Sequence, residues 1–106
     1  MFKKIMLISI LSFVSCAAIA AEVRCPLPEN VRTNGKVQIE DGIPGFIYCS
    51  PSTLECKWKG IDPISDEASP VVSVNNPGNK ATQHNGLTYC DYTLKNGSQI
   101  RMALEK

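Results

Sequence analysis

Leu87-Thr88-Tyr89-Cys90-Asp91-Tyr92-Thr93-Leu94, then Lys95-Asn96-Gly97-Ser98, then Gln99-Ile100-Arg101-Met102-Ala103-Leu104 is the stretch that decides the fold. Apolar side chains alternate along both halves, at Cys90, Tyr92 and Leu94 and again at Ile100, Met102 and Leu104, the period of a strand with one buried face. The turn between the halves determines whether the two sets meet. A two-residue Asn96-Gly97 loop would set Tyr92 opposite Arg101 and send the sets to opposite faces. A three-residue Lys95-Asn96-Gly97 loop pairs Tyr92 with Ile100 and Cys90 with Met102, so that all six face one way, with Gly97 as the left-handed bulge residue. The sequence therefore predicts the bulged hairpin. It leaves Tyr89, Asp91, Thr93, Gln99 and Arg101 on the wetter face and turns Cys90 inward, where a bridge to Cys25, if formed, would lock the N-terminus.

Upstream of this hairpin, turn signals recur at Asn34-Gly35, Asp41-Gly42, Pro44-Gly45, Asn76-Pro77-Gly78 and Asn85-Gly86, separated by short apolar or β-branched segments. Strands are predicted over residues 36–40, 45–49, 54–59, 71–74, 87–94 and 99–104, and no segment carries a long helical period. The fold class is mainly β: a small antiparallel sheet or meander with a C-terminal β-hairpin. A short helical turn fits near residues 28–33 or 63–68, since Asp62-Pro63 resembles an N-cap followed by proline at N1.

Residues 1–21 read as a secretory signal, with Lys3 and Lys4 ahead of an apolar run from Ile5 to Val14 and small residues up to Ala21. Cleavage after Ala20 or Ala21 leaves residues 22–106 as a single small domain. The apolar core of the segment is half the length a membrane-spanning helix needs, so the exported form has no membrane span. A lipid anchor at Cys16, in the loosely lipobox-like Phe13-Val14-Ser15-Cys16, is the alternative. Without Lys3 and Lys4 the 11 Lys+Arg fall to nine against 10 Asp+Glu. Such a balance excludes the basic excess of a nucleic-acid binder and makes long-range steering of a charged ligand weak.

Four cysteines remain after cleavage, Cys25, Cys49, Cys56 and Cys90, an even number in a short exported chain, which predicts two structural disulfides. Six residues separate the nearest pair and the chain has one histidine, so zinc-ligand spacing is absent. A Cys-x-x-Cys redox motif is absent too. Three connectivities are open. Strands on either side of Ser50-Pro51-Ser52-Thr53 favour Cys49 facing Cys56 across a hairpin, leaving Cys25 with Cys90.

Cys25-Pro26, Trp58-Lys59-Gly60, Cys90-Asp91-Tyr92, Asn96-Gly97 and Ile100-Arg101-Met102 together resemble a family of small exported bacterial proteins of unknown function. Its members share a Cys-Pro start, a Trp-x-Gly and a closing Cys-x-Tyr hairpin. The resemblance implies a compact exported domain and a Cys25–Cys90 bridge, with Cys49 and Cys56 additional to the pattern. It implies no catalytic residue and no cofactor.

Sites of chemistry are sparse. His84 lies in a polar loop, and a general base there would need Asp62, Asp66, Asp91 or a hydroxyl beside it. The carboxylates of Asp62, Asp66 and Glu67 lack the alternating oxygen ligands of a calcium loop, so no metal is expected. Alternation places Leu54, Cys56 and Trp58 on one face, pointing Trp58 and the disulfide together toward the core. Trp58 is also a candidate binding residue, and Tyr48 and Tyr89 are candidates for exposed aromatic contacts. The expected function is that of a non-catalytic secreted or periplasmic module that binds another protein, as an envelope-associated protein, inhibitor or effector. The alternative is a small secreted hydrolase using His84.

Overall fold

A computed structural model describes residues 22–105; the predicted signal segment and the predicted lipid-anchor alternative at Cys16 lie outside them. Seven strands form one curled antiparallel sheet: β1 (Arg32–Glu40), β2 (Ile43–Pro51), β3 (Cys56–Asp62), β4 (Val71–Val74), β5 (Thr82–His84), β6 (Leu87–Leu94) and β7 (Gln99–Leu104). Their order across the sheet is β1-β2-β3-β7-β6-β4, with β5 also paired to β6. The C-terminal hairpin therefore inserts its second strand between β3 and β6 and becomes the middle of the sheet.

That hairpin has the bulged register. Tyr92 pairs with Ile100 and Cys90 with Met102. The Leu94 N–H donates to the Ser98 carbonyl at 2.8 Å, and Gly97 takes φ 92°, a conformation costly for a residue with a Cβ. Cys90, Tyr92, Leu94, Ile100 and Met102 are all buried, and with Phe46, Tyr48, Trp58 and Val71 they form the core on the concave side. Leu104 packs against them, half-buried.

Curling requires close approach between β3 and β7, and Gly60 permits it. A Cβ there would stand 2.6 Å from the Arg101 carbonyl oxygen and 2.9 Å from the Met102 sulfur. The glycine of the Trp-x-Gly motif thus stands where the neighbouring β7 strand comes too close for a side chain.

Two disulfides close the structure, Cys25–Cys90 and Cys49–Cys56, the connectivity favoured by the hairpin reading. The first ties the N-terminal segment over the core, where the Tyr92 hydroxyl also donates to the Pro26 carbonyl at 2.7 Å. A 3-10 turn at Pro28–Asn30 follows. Residues 63–70 form no helix. The Asp62 Oδ1 accepts the N–H groups of Ile64 and Ser65, as an N-cap would, but the chain then runs on around the tip of the β6–β7 hairpin. There the Lys95 N–H donates to the Pro70 carbonyl and the Asn96 N–H to the Ser69 hydroxyl.

β4 and β5 share one edge of β6, and Asn76 fills the interval between them. Its Nδ2 donates to the Lys80 carbonyl at 2.9 Å and the Thr82 hydroxyl at 3.2 Å, while its Oδ1 accepts the Asp91 N–H at 2.8 Å. A side-chain amide carries the same donor and acceptor as a peptide group, so the buried Asn76 supplies ladder bonds that neither strand reaches to make.

Candidate functional site

Cross-strand partners share a face, which allows the outer surface to be assembled strand by strand. β2 pairs Cys49 with Lys59 and Ile47 with Ile61. β3 in turn pairs Lys59 with Ala103, and β7 pairs Ala103 with Tyr89 and Arg101 with Asp91. These residues form a continuous outer stripe, opposite the core.

One irregularity puts the Cys49–Cys56 disulfide on that stripe. The register shifts between Ser50 and Pro51, with Ser50 opposite Trp58 and Pro51 opposite Cys56. Lys57 is consequently bulged, and strict alternation between Cys56 and Trp58 is broken. Trp58 points into the core, 8% exposed, as expected. The disulfide does not accompany it. Cys49 and Cys56 instead border a shallow outer groove of about 270 Å³ with Ile47, Gln38, Glu40 and Lys59. Leu54, expected on the inner face, lies outside β3 at the hairpin end and is 98% exposed.

A second groove of about 320 Å³ shares Glu40, Ile47 and Lys59 and extends to Ile61, Arg101 and Glu105. Its two cations are paired locally. Lys59 Nζ lies 3.1 Å from Glu40 Oε2. Arg101 makes a two-pronged contact with Asp91, at 2.8 and 3.0 Å, and lies over the Tyr89 ring, 3.9 Å from its centroid. The hydrogen bond to Asp91 holds the guanidinium still more firmly protonated. With these cations already paired, the two grooves hold no free cation for an anion among the described residues.

Tyr48, expected as an exposed contact, is instead buried at 1% exposure. β2 keeps its alternation, with Phe46, Tyr48 and Ser50 turned toward the core and Ile47 and Cys49 toward the outer stripe, so Tyr48 lies on the inner face. Its hydroxyl donates to the Ser69 carbonyl at 2.6 Å and accepts the Ser69 N–H at 3.0 Å, fastening residues 63–70 across the core. Burial pushes the phenol pKa up, partly opposed by the Ser69 bond, and the Asp62 charge adds to the rise. Tyr89 is half-buried beneath Arg101 and keeps a place at the surface.

His84 is exposed at the end of β5, opposite Leu87. Asp91 is engaged by Arg101, and Asp62 is buried with its Oδ1 committed to the following turn. Among the described residues no hydrogen bond joins His84 to Asp62, Asp66 or Asp91, and no three His, Cys, Asp or Glu side chains gather as a metal site would. Nor is any described helix long and apolar enough to cross a membrane.

Beyond these residues, the surface exposes apolar side chains at the β1–β2 hairpin: Val37 is 62% exposed, Ile39 73% and Ile43 48%. β1 ends the sheet, and among the described residues no strand pairs with its outer edge. The signal was present in the alternation Lys36-Val37-Gln38-Ile39-Glu40, which marks a strand with an apolar face and says nothing of whether that face is covered. Comparison with known proteins finds no matching family model, no matching curated protein and no matching solved structure.

Proposed function

We propose that this protein is a non-catalytic module of the periplasm or extracellular medium that binds another protein through its β1–β2 hairpin. The observation that carries the reading is the exposure of Val37, Ile39 and Ile43 together on a hairpin at the open edge of the sheet. Exposed β-branched residues on an open edge strand are a hazard unless something pairs with them, and peptide recognition by strand addition uses such an edge. Two disulfides in so small a domain support export into an oxidising compartment. The resemblance to small exported bacterial proteins fits the same reading and adds no activity to it. Tyr89 and Arg101 lie on the outer stripe, the opposite face from Val37 and Ile39, and stand apart from this contact.

The test is capture from envelope and culture-supernatant fractions with the oxidised protein, beside Val37→Lys and Tyr89→Ala variants that retain the wild-type melting temperature. A specific partner lost with Val37→Lys and kept with Tyr89→Ala is expected. Equal retention by all three proteins, or no partner in either fraction, counts against the proposal.

A further inference from the structure

The open edge of β1 has features that select one occupant, and this inference rests on the interaction reading above. β1 and β2 are joined by the two-residue turn Asp41-Gly42, with φ of 52° and 81°, and Glu40 pairs with Ile43. In such a hairpin the residues flanking the turn are hydrogen-bonded to each other, and bonding alternates along the strand. Glu40 and Gln38 therefore direct their backbone groups toward β2. Val37 and Ile39, opposite Phe46 and Pro44, direct their N–H and C=O groups outward.

The regular part of this edge is short and bounded on both sides. At its start the register shifts between Thr33 and Val37, where Gly35 takes φ 76°, and at its end the chain turns at Asp41. Residues 36–40 remain, with Gln38 at their centre. If this segment meets itself antiparallel about a two-fold axis through Gln38, Val37 falls opposite Ile39 of the second copy, and each pair brings outward N–H and C=O groups together. The same register sets Lys36 against Glu40 at both ends. Glu40 gives Lys59 only its Oε2 among the described residues, leaving Oε1 for the incoming lysine. Shifting the register by one two-fold step sets Val37 against Val37 and Lys36 against Gln38, which forfeits the charge match. Backbone direction, segment length and charge thus agree on one arrangement.

We propose that the partner of this edge is a second copy of the chain, joined by antiparallel pairing of residues 36–40 about a two-fold axis at Gln38. The apolar strip of Phe46, Val37, Ile39 and Pro44 then runs on into its counterpart across the axis, and Val37 and Ile39 each gain an apolar neighbour. Five residues a side make a small interface, so the dimer belongs to the weak, concentration-dependent class.

Sedimentation equilibrium of the oxidised protein, expressed from its full coding sequence, tests this with two charge variants. Lys36→Glu sets like charges together at both ends and is expected to weaken the dimer about tenfold or more. Glu40→Lys does the same with the opposite sign, and its intrinsic loss of the Lys59 contact makes the mixture the decisive sample. Mixed in equal amounts, the two variants regain opposite charges at both ends and should form a heterodimer tighter than either homodimer. A wild-type protein that stays monomeric up to about 1 mM, the upper end of specific dissociation constants, overturns the pairing. So does a dimer indifferent to Lys36→Glu, or a mixture no tighter than its components. A monomeric wild type that still loses its captured partner on Val37→Lys overturns self-pairing alone and leaves the interaction module standing.

Discussion

Replacing Asn76 should cost far more than its position beside the turn-like Pro77-Gly78 suggests. In Asn76→Ala three well-formed bonds disappear, those to the Lys80 carbonyl, the Thr82 hydroxyl and the Asp91 N–H. At about 1 kcal/mol net apiece they amount to ~3 kcal/mol, and an Asp91 N–H left without a partner at a site closed to water raises the loss toward ~4 kcal/mol. A domain of this size has total stability of roughly 4 to 13 kcal/mol, so the variant loses from about a quarter of its margin to nearly all of it. Urea unfolding followed by Trp58, the chain's one tryptophan and a core residue, measures the change directly. With a slope of ~1 to 1.5 kcal/mol/M for a small domain, the midpoint should fall by ~2 to 4 M. Asn76→Asp separates the donor from the acceptor contribution. It retains an oxygen for the Asp91 N–H but turns a second carboxylate oxygen toward the Lys80 carbonyl, raising the new carboxyl's pKa in the folded state. At pH 7 this variant should be less stable than Asn76→Ala, and it should recover as the pH falls through that raised pKa and the protonated group donates again. An Asn76→Ala loss within ~0.5 kcal/mol of wild type, or an Asn76→Asp variant more stable than it at pH 7, would refute the ladder role.

Two further outcomes follow from the staples and the buried phenols. Removing Cys25–Cys90 as a double alanine variant should destabilise by ~4 kcal/mol on chain entropy, against ~2.5 kcal/mol for Cys49–Cys56, because the sequence separations are 65 and 7; the same urea assay orders them, and equal losses would contradict loop length as the cause. Tyr48 and Tyr92 both have pKa values pushed above the usual 10 by burial, so their neutral forms favour the folded state. Stability should hold up to about pH 10 and fall above it as the unfolded phenols ionise first, with Tyr48 and Tyr92 ionising at 295 nm only in step with the loss of the Trp58 signal; ionisation of all three tyrosines in a still-native protein would contradict their burial.

The parts of the fold legible from residues were those where one face is covered and the other is wet. The C-terminal hairpin satisfies that condition along its length, and its register and bulge follow from matching Cys90, Tyr92 and Leu94 to Ile100, Met102 and Leu104. β5 was invisible because Thr82-Gln83-His84 is exposed throughout and held by backbone pairing with β6, which leaves no hydrophobic trace. The same applies to the start of β1, where Arg32 to Gly35 are polar or lack a side chain. Tyr48 was misplaced because β2 turns it inward beside Phe46 while Cys49 faces out, and the disulfide's face because one bulged residue, Lys57, reverses everything on its far side. Asn76 read as a turn residue; its role depends on two strands ending short of each other along β6, a fact of tertiary placement. The apolar edge of β1 was visible as a strand, while its lack of cover is a property of the assembled sheet.

The Cys25–Cys90 bridge also dictates an order of events. Synthesis delivers Cys25 before any other cysteine of the described domain and Cys90 after all of them, so the earliest thiol has to wait for the latest. During that interval Cys49 and Cys56 emerge and can close their short loop locally, since nearby ends meet at little entropic cost. Were Cys25 to capture either of them first, the sheet could not be completed until thiol exchange released it. Local closure of the small hairpin thus removes both competing thiols from reach and preserves the first cysteine for its distant mate. In this sense the less stabilising disulfide acts as a chaperone for the more stabilising one.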